Sequence, residues 1–224
     1  MKTKKEKNDR YISIIAILIG IISISVAFTA FSSTLKIKSK VNFNPNLSNF
    51  NVDFSTELND VSDGEIEPIM SSTAPYDENF VASGAVVVND KSSRITNLNV
   101  TFTAPGQEVS YVFYAHNIGK YNAYLKSIAF TNVQNETSSK VCIPLEDSND
   151  SSIYSACDAI SISLSVGNLY NITGSKADID SHILDKNAAE KVVVTIKYNE
   201  GYAEPDESFE VLFGDIVLAY SSVN

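Results

Sequence analysis

The sequence predicts an all-β protein, an antiparallel β-sandwich preceded by one N-terminal hydrophobic helix. Apolar and polar residues alternate with a period of two in many short runs, which is typical of strands with one buried face. Turn-forming Pro, Gly and Asn residues separate these runs. Tyr and Phe number eleven each, and aromatic and β-branched residues favour strands. Roughly eight or more short strands with almost no helix indicate a sandwich.

The hydrophobic helix is predicted over residues 11–35, which contain no charged residue. A run of this length spans the hydrocarbon core of a bilayer, which is about 30 Å thick. Basic residues outnumber acidic ones in residues 1–10, so this segment is expected to stay in the cytoplasm. Residues 36–224 are then expected to form an extracellular β-sandwich domain.

Two fates of residues 11–35 remain open, a cleaved signal peptide and a retained transmembrane helix. The length of the apolar run favours the helix, whereas small residues near its end, including Ala27 and Thr29, favour cleavage. The expected location is therefore the cell membrane with an extracellular C-terminal domain, or the cell surface and medium after cleavage.

The net charge and the cysteine content limit which classes of partner and which covalent bonds are expected. The chain has 27 acidic and 17 basic residues and a formal charge of -10, which argues against nucleic acid as a partner. Cys142 and Cys157 are its two cysteines, and in an oxidising extracellular environment they most simply form one disulfide. The enclosed loop of about fifteen residues would make that bond worth about 3 kcal/mol.

The first strands follow the hydrophobic segment. Leu35, Ile37, Val41 and Phe43 alternate with polar residues and predict a half-buried strand. A second strand is predicted over residues 50–54. Residues 59–76 lose the alternation and are interpreted as a loop insertion with at most one short strand.

The centre of the chain is predicted to contain strands at residues 98–102, 109–116 and 121–130. Pro105-Gly106 forces the first turn, and Asn117 with Gly119 is expected to supply positive-φ positions in the second. The short second turn predicts an antiparallel hairpin between its two flanking strands.

The last third begins with a second loop insertion, residues 138–156, which is polar and acidic between the cysteines. Strands are predicted at residues 160–166, 192–198 and 208–221, with a bulge or bend at Gly214. Residues 178–189 have helical spacing of their apolar residues and predict a short helix or turn.

Three segments together resemble a known family. The end of the hydrophobic segment (AFSSTLKI), the central strand-turn-strand (APGQEVSYVFYAHNIGKYNAYLKSI) and the C-terminal strands (VVVTIKYN and FEVLFGDIVLAYS) are similar to the TasA/camelysin-type exported proteins of Gram-positive bacteria. The resemblance implies a jelly-roll-like sandwich. It also implies assembly into fibres in which an N-terminal strand of one subunit completes a sheet of the next.

The donor strand implied by this resemblance contains Leu35, Ile37, Val41 and Phe43. Because the strand directly follows the hydrophobic segment, a retained membrane anchor would hinder its transfer to another subunit. The alternative is that this strand pairs within its own domain.

No motif for catalysis or for a cofactor is found. The two histidines, His116 and His182, lack the H-E-x-x-H pattern of a zinc peptidase. Acidic residues crowd the loop between the cysteines, but the glycine and the bidentate Glu of a calcium loop are missing. No nucleophile elbow or phosphate-binding loop is present either.

The sequence thus predicts a non-enzymatic surface or extracellular-matrix structural protein without cofactor or metal. Its expected partners are the membrane, through an uncleaved helix, and other copies or other surface proteins. The alternative is a binding or adhesion module that acts through the two loop insertions, residues 59–76 and 138–156.

Overall fold

The computed structural model describes part of the chain, which lies within the compact unit Pro45–Asn224. The described residues are 50–75, 77–90, 93–145, 151–177, 179, 182–202, 204 and 208–222. The predicted cytoplasmic segment 1–10, the hydrophobic helix 11–35 and the strand with Leu35, Ile37, Val41 and Phe43 lie outside them.

Strands dominate the described residues, as the alternation predicts, so the all-β antiparallel class is confirmed. They are β1 (Val52–Ser55), β2 (Gly64–Ile66), β3 (Ile69–Ser72), β4 (Val81–Ala82), β5 (Ala85–Val88), β6 (Arg94–Thr96), β7 (Asn99–Phe102), β8 (Gln107–Asn117), β9 (Ala123–Phe130), β10 (Lys140–Pro144), β11 (Ile160–Val166), β12 (Leu169–Ile172), β13 (Lys176–Ala177), β14 (Ile183–Leu184), β15 (Ala189–Tyr198), β16 (Phe209–Phe213) and β17 (Ile216–Ser221). One helix, α1 (Ser151–Ala159), precedes β11.

The strands form three antiparallel sheets. The first has the order β1-β8-β15-β11-β12, and β3 joins the same edge of β8 as β1. The second has the order β10-β16-β7-β4, and the third has the order β13-β9-β17-β6-β5-β2 with β14 also paired to β9.

The second and third sheets are two halves of one layer. β7 pairs with β16, and β6 pairs with β17, so the same two chain segments run through both halves. The segments are interrupted at Asn97, which has a φ of 62°, and at Gly214. The bend predicted at Gly214 is therefore observed. A Cβ there would lie 1.9 Å from the backbone oxygen of Thr131, which explains why this position needs glycine.

The core lies between this layer and the six-stranded sheet. Buried residues of all three sheets form one hydrophobic cluster. Tyr198 on β15 contacts the rings of Phe102 and Phe209 on the opposing layer edge to face, at centroid distances of 6.0 and 5.9 Å. Such ring pairs contribute about 0.5–1.5 kcal/mol beyond their burial. These contacts establish a β-sandwich.

The predicted hairpin between residues 109–116 and 121–130 is wrong. β8 pairs with β15, β1 and β3, whereas β9 pairs with β17, β13 and β14 in the other layer. The turn between them therefore carries the chain across the sandwich. A short polar turn looks the same in sequence whether it closes a hairpin or connects two layers, because only long-range pairing separates the two.

The turns before and after β8 can be compared with the two turns predicted from the sequence. The turn predicted at Pro105-Gly106 is present, and Gly106 has a φ of 90° there, whereas Asn117 and Gly119 are not among the positive-φ residues. The Asn117 side chain instead accepts a hydrogen bond from the Gly119 amide at 3.1 Å. This side-chain turn makes a left-handed backbone unnecessary.

The two predicted loop insertions contain regular secondary structure, and the segment predicted as a short helix or turn contains no helix among its described residues. β2 and β3 lie within the loop predicted over residues 59–76, and β10 and α1 lie in or overlap residues 138–156. In residues 178–189, the described part forms β14 and a turn. There Ile183 and Leu184 form β14, which pairs with β9, and the described residues of this stretch contain no helix.

Candidate functional site

The free edges of the sandwich are the surface on which strand addition depends, since an edge strand presents unpaired N–H and C=O groups. The long strand β8 has β15 on one side. On its other side, β1 pairs with only one end of β8, from Tyr114 to Asn117. β3 covers the other end, from Gln107 to Ser110. The edge of the six-stranded sheet therefore consists of two short strands in line.

The outer side of β1 is closed by side chains. The Asn89 carboxamide accepts a hydrogen bond from the Phe54 amide at 2.9 Å and donates one to the Phe54 carbonyl at 2.7 Å. It thus occupies the place of a neighbouring strand. Ser93 Oγ donates to the Val52 carbonyl at 2.8 Å. Another strand cannot pair with β1 unless it displaces these groups.

The outer side of β3 is open among the described residues. β3 pairs with β8 alone. Its apolar side chains face solvent, with Ile69 58% and Met70 37% exposed. No charged residue occurs from Pro68 to Pro75. β3 therefore lacks the lysine, proline or bulge with which edge strands resist pairing.

The other edge strands carry features that resist pairing. β2 contains Glu65, and β10 ends at Pro144. In β12, Asn171 has a φ of 54°, which twists the strand. β4, β13 and β14 contain two residues each. Among the described strands, β3 is thus the edge best suited to accept a further strand.

An open groove of about 670 Å³ lies at the end of β8 that is farther from β3. It is lined by Asn59 and Asp60, by residues 116–118 at and just after the end of β8, and by residues 187–189. Leu58, Val61 and Ile118 on its wall are 51%, 37% and 48% exposed. The predicted loop 59–76 thus contributes both to this groove and, through β3, to the open edge.

The two histidines lie apart and have structural partners. His116 is 8% exposed, and its Nε2 lies 2.8 Å from the Glu57 carbonyl oxygen. Burial raises the pKa of the neighbouring Asp53 carboxyl group, which accepts a hydrogen bond from Asn51. His182 is 6% exposed and contacts Glu190. No group of three or more metal-ligating side chains occurs in the part of the chain that the structure describes.

The two cysteines form the predicted disulfide, with their Cα atoms 6.0 Å apart. The bond joins β10 to α1, and Lys140 supports the same junction. Its Nζ donates hydrogen bonds to the carbonyl oxygens of Cys157 at 2.6 Å and Ile160 at 2.8 Å. Burial lowers the pKa of Lys140, while Asp158 opposes that shift. The acidic residues 146–150, considered for calcium, lie outside the described residues.

The local sequence predicts a loop with at most one short strand where β3 lies, and it does not predict the contacts of Asn89 and His182. A signal for β3 is present in the uncharged stretch after Pro68, but the stretch is too short to distinguish an edge strand from a loop. Asn89 and His182 acquire their roles only through partners at least eight positions away in sequence.

No helix among the described residues is long and apolar enough to cross a membrane.

Comparisons of the chain with family models, with curated proteins and with solved structures found no match.

Proposed function

We propose that this chain is a non-enzymatic exported structural protein of the cell surface or extracellular matrix, whose subunits assemble by strand addition. The observation that carries the proposal is the open, uncharged edge of β3 beside the closed edge of β1. Main-chain pairing at such an edge supplies affinity, and alternate side chains supply specificity. The proposed donor is the segment with Leu35, Ile37, Val41 and Phe43.

The strand order supports a jelly-roll-like sandwich. Consecutive strands that lie in the same layer can be grouped, which leaves eight segments numbered first to eighth along the chain. They are β6–β7, β8, β9–β10, β11, β12, β13–β14, β15 and β16–β17. Their pairing order is first-eighth-third-sixth in one layer and second-seventh-fourth-fifth in the other. This interleaving of two Greek keys is the jelly-roll pattern. β1 to β5 then extend the two layers at one side.

The N-terminal segment bears on whether a subunit can be released. We propose that residues 1–10 are cytoplasmic and that residues 11–35 are a signal peptide or a membrane helix. The N-terminal residue of the mature protein, measured by mass spectrometry, separates these fates. A start near residue 30 permits free subunits, whereas an intact N-terminus keeps the domain at the membrane.

The test of assembly compares chains that begin at residue 31 and at residue 44. Among the described residues, the hydrophobic cluster and the side chains packed against it begin at Phe50, so both chains retain them. We expect the longer chain to form large species in analytical ultracentrifugation and the shorter one to stay monomeric. If both chains stay monomeric at high concentration and unfold at the same temperature, strand addition is wrong.

Edge variants test the acceptor. Ile69→Lys places a charge on β3, and Tyr170→Lys places one at a 70% exposed position on β12. We expect Ile69→Lys to prevent assembly of the chain that begins at residue 31, because a charged edge resists pairing, while Tyr170→Lys assembles normally. Equal assembly of both variants would exclude β3 as the acceptor.

The groove beside Leu58, Val61 and Ile118 favours a second candidate function, a binding module that acts through its loops. An exposed apolar wall next to polar groups is typical of ligand sites. Replacing Leu58 and Val61 by Ser should abolish adhesion to cells or matrix without preventing assembly. Unchanged adhesion would contradict this function.

A further inference from the structure

A second groove, of about 390 Å³, lies where the two halves of one layer separate. It is lined by residues 97–99 and 212–215, at the interruptions of the two segments that run through both halves, and by residues 131–134 after β9. Its volume falls in the range of about 300–1,000 Å³ that is typical of small-molecule sites. The groove lies in the layer opposite β3 and shares no residue with the groove beside Leu58.

Hydrogen bonds fix the three walls of this groove relative to one another. The Thr131 amide donates to the Asp215 carbonyl oxygen at 2.9 Å, and Thr131 Oγ1 accepts from the Asp215 amide at 2.8 Å. The Phe213 amide donates to the Leu98 carbonyl oxygen at 3.2 Å. A ligand therefore meets a preformed surface, and its binding requires little ordering of the protein.

Four residues that line the groove have neutral amide side chains, namely Asn97, Asn99, Asn132 and Gln134. Asn97 and Asn99 each donate from Nδ2 to another group of the protein, whereas their Oδ1 atoms accept no hydrogen bond within the described part of the chain. The amides of Asn132 and Gln134 are exposed and bond no described residue. The groove thus offers both donors and acceptors to a ligand.

The charges around the groove favour a neutral ligand. Among the described residues, its lining contains no Lys or Arg and one carboxylate, that of Asp215. An anionic ligand would find no cationic partner in this lining. A cationic ligand would compete with Arg94, whose Nε lies 3.5 Å from Asp215 Oδ2. Hydroxyl groups suit the amides best, because a hydroxyl both donates and accepts hydrogen bonds.

The strand pairing around the groove disfavours an extended peptide as its ligand. β7 pairs with β16 and β4, β16 also pairs with β10, and β17 pairs with β9 and β6. Both edges of these strands are therefore occupied. An added peptide strand binds through main-chain hydrogen bonds at a free edge, and these strands provide none. Recognition in this groove must come from side chains.

We propose that this groove binds a neutral glycan through the amide side chains of Asn97, Asn99, Asn132 and Gln134. Sugar hydroxyl groups donate to the side-chain carbonyl oxygens and accept from the amide N–H groups. The inference goes beyond the proposed strand addition and does not depend on it. A domain with this site attaches to polysaccharide of the cell surface or matrix, whether it is a single subunit or part of an assembly.

The test titrates the full chain, reconstituted in lipid nanodiscs, with β-linked tetramers of glucose, mannose, xylose and N-acetylglucosamine. We expect isothermal titration calorimetry to show binding of at least one of these neutral glycans with a Kd of about 1 mM or lower. The anionic tetramer of galacturonic acid and the cationic tetramer of glucosamine should bind more weakly. If no neutral tetramer binds, or if a charged tetramer binds more tightly than every neutral one, the proposal is wrong.

Two variants locate the site. Asn132→Ala and Gln134→Ala remove exposed amides that bond no described residue, so both should unfold at the temperature of the unaltered chain. Each should weaken glycan binding about tenfold, since hydrogen bonds to the ligand are lost. Asn79→Ala is the matched control, because Asn79 is also exposed but does not line the groove, and it should bind as the unaltered chain does. Unchanged binding in both groove variants would exclude this groove as the glycan site.

Discussion

At the scale of single residues, buried side-chain amides determine the local path of the chain. Asn117 is fully buried, and its Nδ2 donates to the carbonyl oxygens of Tyr121 at 2.8 Å and Leu184 at 3.0 Å. Its Oδ1 accepts from Gly119. All hydrogen-bonding groups of this amide are thus used, which stabilises the turn that crosses between the layers. Asn89, which is half-buried, closes the edge of β1 through its two hydrogen bonds to Phe54.

Gly214 gives the sharpest prediction at this scale. In Gly214→Ala the new methyl group would meet the Thr131 carbonyl oxygen at 1.9 Å, and backbone cannot move aside cheaply. We expect the free energy of unfolding, measured with urea, to fall by about 3 kcal/mol or more.

The matched control is Gly64→Ala on β2. There the added Cβ would lie 3.3 Å from the Thr56 side chain, which can shift slightly, so the change should stay within about 1 kcal/mol. Equal losses in the two variants would show that the bend at Gly214 does not require glycine.

At the scale of elements, α1 shows how tertiary partners create a helix that composition does not favour. Its sequence, SSIYSACDA, contains three serines and no acidic residue in its first turn. Ile153, Ala156 and Ala159 are buried. The Asn199 side chain donates to the Ala159 carbonyl at 2.6 Å, and Lys140 satisfies further carbonyls at the C-terminal end. The helix depends on packing, since a helix of this length is marginal alone.

Removal of the disulfide should weaken this element. Cys142 and Cys157 are separated by 15 positions in sequence, so replacing both by Ser is expected to cost about 3 kcal/mol of unfolding free energy. A reducing agent should destabilise the unaltered chain by the same amount in urea titrations and leave the double variant unchanged. A reductant effect on the double variant would contradict this explanation.

At the scale of the whole molecule, stability depends on one hydrophobic core between the two layers. Each layer is formed by strands that are far apart in sequence. The pairing β8–β15 joins residues that are far apart in sequence, as in Val112 with Val193. Tyrosines are part of this core. The Tyr111 hydroxyl donates to the Ser83 carbonyl at 2.9 Å across the sandwich, and burial raises the pKa of Tyr111, Tyr198 and Tyr220.

These shifts predict alkaline unfolding. A tyrosine whose pKa is raised in the folded state stays neutral there, while the unfolded chain ionises above about pH 10. The unfolded state then binds fewer protons, so the contribution of these tyrosines to the free energy of unfolding is constant below that pH and falls as pH rises beyond it. Urea titrations between about pH 8 and about pH 11 should show this decline.

Tyr111→Phe should make the decline shallower, because one buried ionisable group is removed. Below about pH 10 the same variant should be less stable by about 1–2 kcal/mol, since the Ser83 carbonyl loses its donor. Tyr170→Phe is the control, because Tyr170 is 70% exposed and should not alter the slope. An unchanged slope in Tyr111→Phe would exclude Tyr111 as a source of the decline.

The local pattern of the sequence predicts part of this molecule well. Strict alternation in residues 160–166 and 192–198 corresponds to β11 and β15, and Gly106 and Gly214 occupy the predicted turn and bend. Such features depend on neighbours within a few positions. The hairpin predicted after β8 is wrong and α1 is not predicted, because both depend on contacts with distant segments.

By itself, the sequence determined the all-β class, most strand positions and the pairing of Cys142 with Cys157, since alternation, turn residues and cysteine number are local or countable properties. Only the tertiary structure decided which strands pair and that Asn89 closes the β1 edge. It also decided that β3 pairs with β8 alone among the described residues, and that Glu190 contacts both His182 and Tyr220. The physical reason is that register and edge position are set by long-range hydrogen bonds and core packing. A short run such as IMSS can occur in a loop or in an exposed edge strand, so its sequence alone does not distinguish the two.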